Sequence, residues 1–150
     1  VGDFSLMGFI DGSAPGFFAF ERWQLSWLDD EQIICQTTSD QTTTLTPIET
    51  QGGIKAVIVP ISESKALVVE SRRPVGADAE LVKSGALVYL ADTSIYSGEG
   101  TITVLPVSGD DPYRVQSPLA VGETLTVEGI TVTVTASDDQ SDTVQVVVTK

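Results

Sequence analysis

From residue 124 onward, apolar side chains take every second place and threonine takes most of the others. Leu125 and Val127 alternate with Thr124, Thr126 and Glu128; Ile130, Val132 and Val134 alternate with Thr131, Thr133 and Thr135; Val144, Val146 and Val148 share one side of the run 143–149. A period of two sends successive side chains to opposite faces of a strand, so each run has one buried face and one wet face. Glu128-Gly129 between the first two runs is a tight-turn signal, and 137–142 is a polar loop. Val, Ile and Thr number 46 of the 150 residues. Residues branched at Cβ suit a pleated, half-buried surface, which extends the β reading to the rest of the chain.

Further strands are predicted at 33–38, 42–45, 54–61, 65–72, 85–91 and 101–105. Gln51-Gly52-Gly53 is a turn signal, and Pro60 points to an edge or an end of its strand. The runs 54–61 and 65–72, joined through Ser62-Glu63-Ser64, are expected to form a hairpin. About eight or nine short strands separated by turns imply a mainly β chain, an antiparallel β-sandwich of two sheets packed face to face. One amphipathic helix precedes it. Ser13 is placed to cap it and Pro15 suits its first turn; Phe20, Trp23 and Trp27 in the run 17–28 share a face, and Asp29-Asp30-Glu31 end it. The expected division is residues 1–32 as the N-terminal segment with its helix, and 33–150 as the sandwich.

Eight basic residues stand against 21 acidic ones, a net charge of −13. That balance excludes a nucleic-acid backbone and an anionic membrane surface as partners. No apolar run reaches the roughly 18 residues that a membrane-crossing helix needs. The chain has no histidine, which removes Ser-His-Asp and Cys-His nucleophile systems and the His-rich zinc sites. Its single cysteine, Cys35, falls in an apolar strand and is expected to be a buried, inert thiol.

Few side chains then remain as candidates. Glu70, Arg72, Arg73 and Asp92 suit a buried ion pair or one wall of a substrate cleft, with a strand-end salt bridge as the simpler reading. Glu21 and Glu70 as a glycosidase pair find no support in their spacing. Asp29-Asp30-Glu31, Asp110-Asp111 and the acidic loop 138–142 offer oxygen ligands for calcium, but none has the spacing of a calcium loop, and acidic turns account for them. Gly98-Glu99-Gly100 is a turn without the basic residue or helix start of a phosphate cradle.

Three stretches resemble secreted zinc metallopeptidases of the immune inhibitor A type. The first is Phe4-Ser5-Leu6-Met7-Gly8 with Ala14-Pro15-Gly16-Phe17 and the aromatic helix through Trp27-Leu28, similar to the Met-turn of that family and its next helix. The second is Ala66-Leu67-Val68-Val69-Glu70-Ser71-Arg72-Arg73 followed by Gly76-Ala77-Asp78. The third is Gly85-Ala86-Leu87-Val88-Tyr89-Leu90-Ala91-Asp92. The resemblance covers roughly residues 3 to 106, about two-thirds of the chain on the usual domain-length scale. In that family the third strand often carries a histidine before its closing acid, which this chain lacks.

The resemblance implies that Met7 is a Met-turn methionine, an apolar floor beneath a zinc ion; its simpler reading is a core methionine beside Phe4 and Phe9. It also implies that the zinc ligands, in an H-E-x-x-H helix, lie upstream of these residues, with the Glu as general base. The apolar run after Val1-Gly2-Asp3 is likewise expected to belong to a longer protein. On this reading the chain is the C-terminal, non-catalytic portion of an exported zinc endopeptidase, and it hydrolyses nothing by itself. Its partners are the upstream catalytic segment and a protein or peptide substrate; zinc belongs to the parent enzyme. The alternative is an extracellular β-sandwich binding or adhesion module with no catalytic role.

Overall fold

The computed structural model describes residues 1–8, 14–106 and 111–149. It is a two-sheet β-sandwich with a third, thin layer of N-terminal chain on one outer face. One sheet runs in the order β1 (Ile33–Cys35), β3 (Ala56–Pro60), β4 (Lys65–Arg72), β5 (Gly85–Asp92), β6 (Ile102–Leu105); the other runs β2 (Asp40–Leu45), β9 (Asp142–Val148), β8 (Ile130–Ser137), β7 (Thr124–Val127). The mainly β sandwich with a minor N-terminal helix is thus the observed fold.

Alternation explains the layering. In the four-stranded sheet Leu45, Ile130, Val132, Val134, Val144 and Val146 point inward. Their neighbours Thr44, Thr124, Thr126, Thr131, Thr133 and Thr143 make hydroxyl pairs across strands on the wet face, at 2.9–3.0 Å. The five-stranded sheet is buried on both faces. Val57, Val59, Leu67, Val69 and Val88 meet the facing sheet. Ala56, Ile58, Val68, Leu87 and Tyr89, one place out of phase, pack under Phe4, Phe18, Ala19 and Phe20.

The β3–β4 hairpin forms as the sequence predicts, and Pro60 ends β3 opposite Ala66. Val127 pairs with Ile130 across Glu128 and Gly129, whose φ angles of 53° and 74° are those of a hairpin turn with both central residues left-handed. Gly85 has a φ of 143°, and a Cβ there would lie 2.2 Å from the Leu119 carbonyl oxygen, where residue 119 bridges to Ala86. A side chain at 85 would prevent that close approach.

Three expectations need correction. The strand at 33–38 ends at Cys35 and runs parallel to β3, so the sandwich is not wholly antiparallel. Gln36 still donates its N–H to the Ile58 carbonyl at 2.9 Å, but Pro60 has no N–H for the next rung, and the chain crosses to the other sheet. Cys35 is exposed rather than buried, because its strand lies at the sheet edge. The helix, α1, spans only Ala19–Gln24. Leu25 closes it and Ser26 turns left-handed at φ 58°. Trp27 therefore leaves the shared face; it is 62% exposed and meets Phe17 edge-on, ring centroids 5.6 Å apart. Ser13, the expected cap, lies outside the described residues, as do Phe9, Ile10 and Asp110.

Candidate functional site

The main polar feature of the interior lies between the five-stranded sheet and the N-terminal layer. Residues two apart on a strand share a face, so Glu70 and Arg72 both point into this layer. Both are fully buried, and Arg72 Nε donates to Glu70 Oε1 at 2.6 Å. Asp78 arrives from the 3-10 turn Gly76–Asp78 and accepts from Arg72 Nη1 through Oδ2. The third donor, Nη2, gives its proton to the Phe4 carbonyl at 2.9 Å. The guanidinium also lies 5.4 Å from the Phe18 ring centroid and 6.0 Å from that of Phe4. A buried guanidinium is tolerated only with its donors paired and its charge balanced; here two carboxylates and a carbonyl do this.

The carboxylates in turn hold the start of α1. Glu70 Oε2 accepts from the Ala19 N–H at 2.7 Å and from the Tyr89 hydroxyl at 2.9 Å; the Tyr89 oxygen accepts from the Phe20 N–H at 3.2 Å. Asp78 Oδ1 accepts from Gly16 N–H at 2.7 Å. Glu21 Oε2 accepts from Phe18 N–H at 2.9 Å and from Ser5 Oγ at 2.8 Å. First-turn N–H groups have no partner within their own helix. Here Glu70 and the Tyr89 phenol, from remote strands, satisfy those of Ala19 and Phe20, while Glu21 of the helix itself caps Phe18.

The electrostatics follow. Burial alone would lower the Arg72 basicity, but Glu70 and Asp78 overcome it and hold the guanidinium above its ordinary value. Burial would raise Asp78, yet Arg72, Glu49 and the Gly16 N–H together hold its carboxyl below the usual range. Burial, then the Glu70 charge, push the Tyr89 phenol well above its usual value. Each of these groups stays in one protonation state near neutrality. The arrangement fastens backbone in place rather than moving protons.

The N-terminal segment so held forms a turn, with Gly8 N–H donating to the Ser5 carbonyl at 2.8 Å. Met7 sits in this turn and is 64% exposed, with Leu6 beside it at 45%; Phe4 is buried. Met7 is thus not a core side chain. Asp92 is not part of the cluster. It lies at the far end of β5, opposite Lys65, ~23 Å along the strand from the Arg72 register at about 3.3 Å per residue. Hydrogen bonds from Ser94 Oγ and N–H hold its carboxyl below the usual range.

Arg73 turns the other way. It donates to Asp142 across the seam between the sheets, at 2.8 and 3.0 Å, and to the Asp138 and Ser141 carbonyls. Asp142 also accepts from Ser71 and Ser137, both at 2.6 Å. The acidic loop 138–142 is therefore engaged with Arg73 and with its own serines. Among the described residues no group of three or more His, Cys, Asp or Glu is arranged to hold a metal ion, so the zinc that the family resemblance implies finds no ligand set in them.

Sequence reasoning singles out Glu70 and Arg72 but assigns no role to Asp78, Tyr89, Glu21, Ser5 or Glu49. Of these, Ser5, Glu21, Asp78 and Tyr89 fall inside the quoted motifs, and nothing in local spacing marks Glu49. No family model, curated protein or solved structure matches the chain.

Proposed function

We propose that this chain is the C-terminal, non-catalytic part of an exported zinc endopeptidase of the immune inhibitor A type, and that its work is to hold a Met-turn in place. One observation carries the reading. The three stretches that resemble that family, far apart in sequence, meet in one buried cluster: Phe4, Ser5 and the start of α1 from the first, Glu70, Arg72 and Asp78 from the second, Tyr89 from the third. A cluster that ties these three together, and leaves Met7 and Leu6 facing outward, suits a scaffold whose apolar turn is covered by another segment. In this reading the zinc ligands and the general base belong to a segment outside these residues, and the sandwich supplies the wall beside it.

The test is the full gene product. Casein cleavage that a chelator abolishes, with an H-E-x-x-H motif upstream, is the expected result. A gene product whose upstream hundred or so residues lack that motif, or whose cleavage ignores the chelator, overturns the proposal. The competing reading, a binding or adhesion module, draws on the threonine face of the four-stranded sheet; it predicts no hydrolysis by the full product.

A further inference from the structure

The sandwich is open where the chain crosses from one sheet to the other. β1 stops at Cys35, and residues 36–39 leave the side of β3 for β2 in the facing sheet. A cavity of about 480 Å³ lies beside this crossing, a size that suits a bound ligand. Gln36 and Val59, each 2% exposed, form its inner wall. Val148 flanks it, and Pro60 and residues 37–39 make an exposed rim. Among the described residues no charged side chain lines it, in a chain whose net charge is −13.

The fixed polar groups left over here are acceptors. Gln36 Nε2 donates to the Val146 carbonyl at 2.9 Å and to the Thr38 carbonyl at 3.1 Å. Those bonds set which way the amide faces, and its Oε1 is buried with no donor among the described residues. A buried oxygen in that state is costly, and a donor brought to it is worth more than one exchanged with water. The second acceptor belongs to the backbone. The Gln36 N–H donates to the Ile58 carbonyl at 2.9 Å. Alternate carbonyls of a strand point to the same edge, so that of Pro60 also points to the β1 side. β1 has ended by that rung, and Pro60 has no N–H of its own to offer there.

We propose that this cavity binds an uncharged, extended peptide segment with an aliphatic side chain, laid along the end of β3 in the place that β1 vacates. One peptide N–H donates to the Pro60 carbonyl and another to Gln36 Oε1, while the side chain rests against Val59 and Val148. Main-chain hydrogen bonds supply the affinity and the side-chain seat supplies the selection, as where a strand is added to a sheet edge. A charged segment is rejected, since no lining side chain balances a charge taken out of water. None of the lining residues belongs to the Arg72 cluster, so the site stands whatever the fate of the peptidase reading.

The experiment titrates the chain with acetyl-Ala-Val-Ala-amide and follows the Gln36 side-chain NH2 and the Val59 and Val148 methyls by NMR. Saturable shifts at all three are expected. The same peptide with its amide nitrogens methylated should bind about tenfold more weakly or worse, because both acceptors then stay unpaired. Acetyl-Ala-Asp-Ala-amide should weaken by about tenfold as well. Gln36→Leu should lose the shifts at Val59 and Val148; if that variant does not fold, the methylated peptide on the wild type decides the matter. No saturable shift at these groups, equal binding of the methylated peptide, or a folded Gln36→Leu that binds as the wild type does, overturns the proposal. Shifts of the same groups with protein concentration alone, or with methyl glucoside in place of the peptide, overturn it too, since they give the cavity to a second copy or to a sugar.

Discussion

Arg72 and Arg73 are adjacent in sequence and do opposite things. Arg72 points outward from the five-stranded sheet and fastens the N-terminal layer through Glu70, Asp78 and the Phe4 carbonyl. Arg73 points to the seam and ties the two sheets together through Asp142. Both guanidiniums are buried, yet their surroundings differ. Asp142 keeps hydroxyl donors from Ser71 and Ser137 in addition to Arg73. Asp78 has one backbone N–H, that of Gly16, besides Arg72. The comparison teaches that cost follows what is left behind when a partner is removed, more than the number of bonds the partner makes.

The largest expected effect is Arg72→Ala. It leaves the Glu70 and Asp78 charges buried without a cation, a loss of about 3–5 kcal/mol, read by urea unfolding. Arg73→Ala should cost less, about 2–3 kcal/mol, because the serine hydroxyls still solvate Asp142. A loss from Arg73→Ala equal to or above that of Arg72→Ala would break the comparison.

Lys55 gives a prediction of different sign. Its ammonium is enclosed by Thr46 Oγ1, the Pro47 carbonyl and Thr50 Oγ1. Burial lowers it to about 8, while Glu49 pulls it back up. The unfolded chain therefore binds the extra proton above about 8, and stability should rise with pH from there toward about 10.5, the ordinary lysine value. Lys55→Met should remove the rising limb in a thermal-unfolding series. The smallest effect belongs to the wet face. Thr133→Ala breaks one exposed hydroxyl pair with Thr124 and should shift stability by about 0.5 kcal/mol or less, within the range of cross-strand pairs.

Legibility in the sequence divides along similar lines. The runs in β7, β8 and β9 could be read because one face meets apolar core and the other water, and alternation records that directly. Glu70 and Arg72 could be paired because they sit two apart on one strand. The parallel placement of β1 could not, since it depends on the chain crossing between sheets before Pro60. Nor could the end of α1 at Leu25, because aromatic periodicity continues to Trp27 while the backbone turns at Ser26. The anchoring partners Asp78 and Tyr89 meet α1 only through tertiary packing, and no local period marks them. Exposure of Cys35 was hidden for the same reason: an apolar strand at a sheet edge has the same sequence as one inside.

The central claim is that the Arg72 cluster, and not the sandwich as a whole, holds the N-terminal layer. Hydrogen exchange at the amides of Gly16, Ala19 and Phe20, which donate to Asp78, Glu70 and Tyr89, tests it when Arg72→Lys and Arg73→Lys are compared at matched stability. The account predicts faster exchange at all three amides in Arg72→Lys and wild-type protection in Arg73→Lys. Equal protection in the two variants, or loss in Arg73→Lys alone, would contradict it.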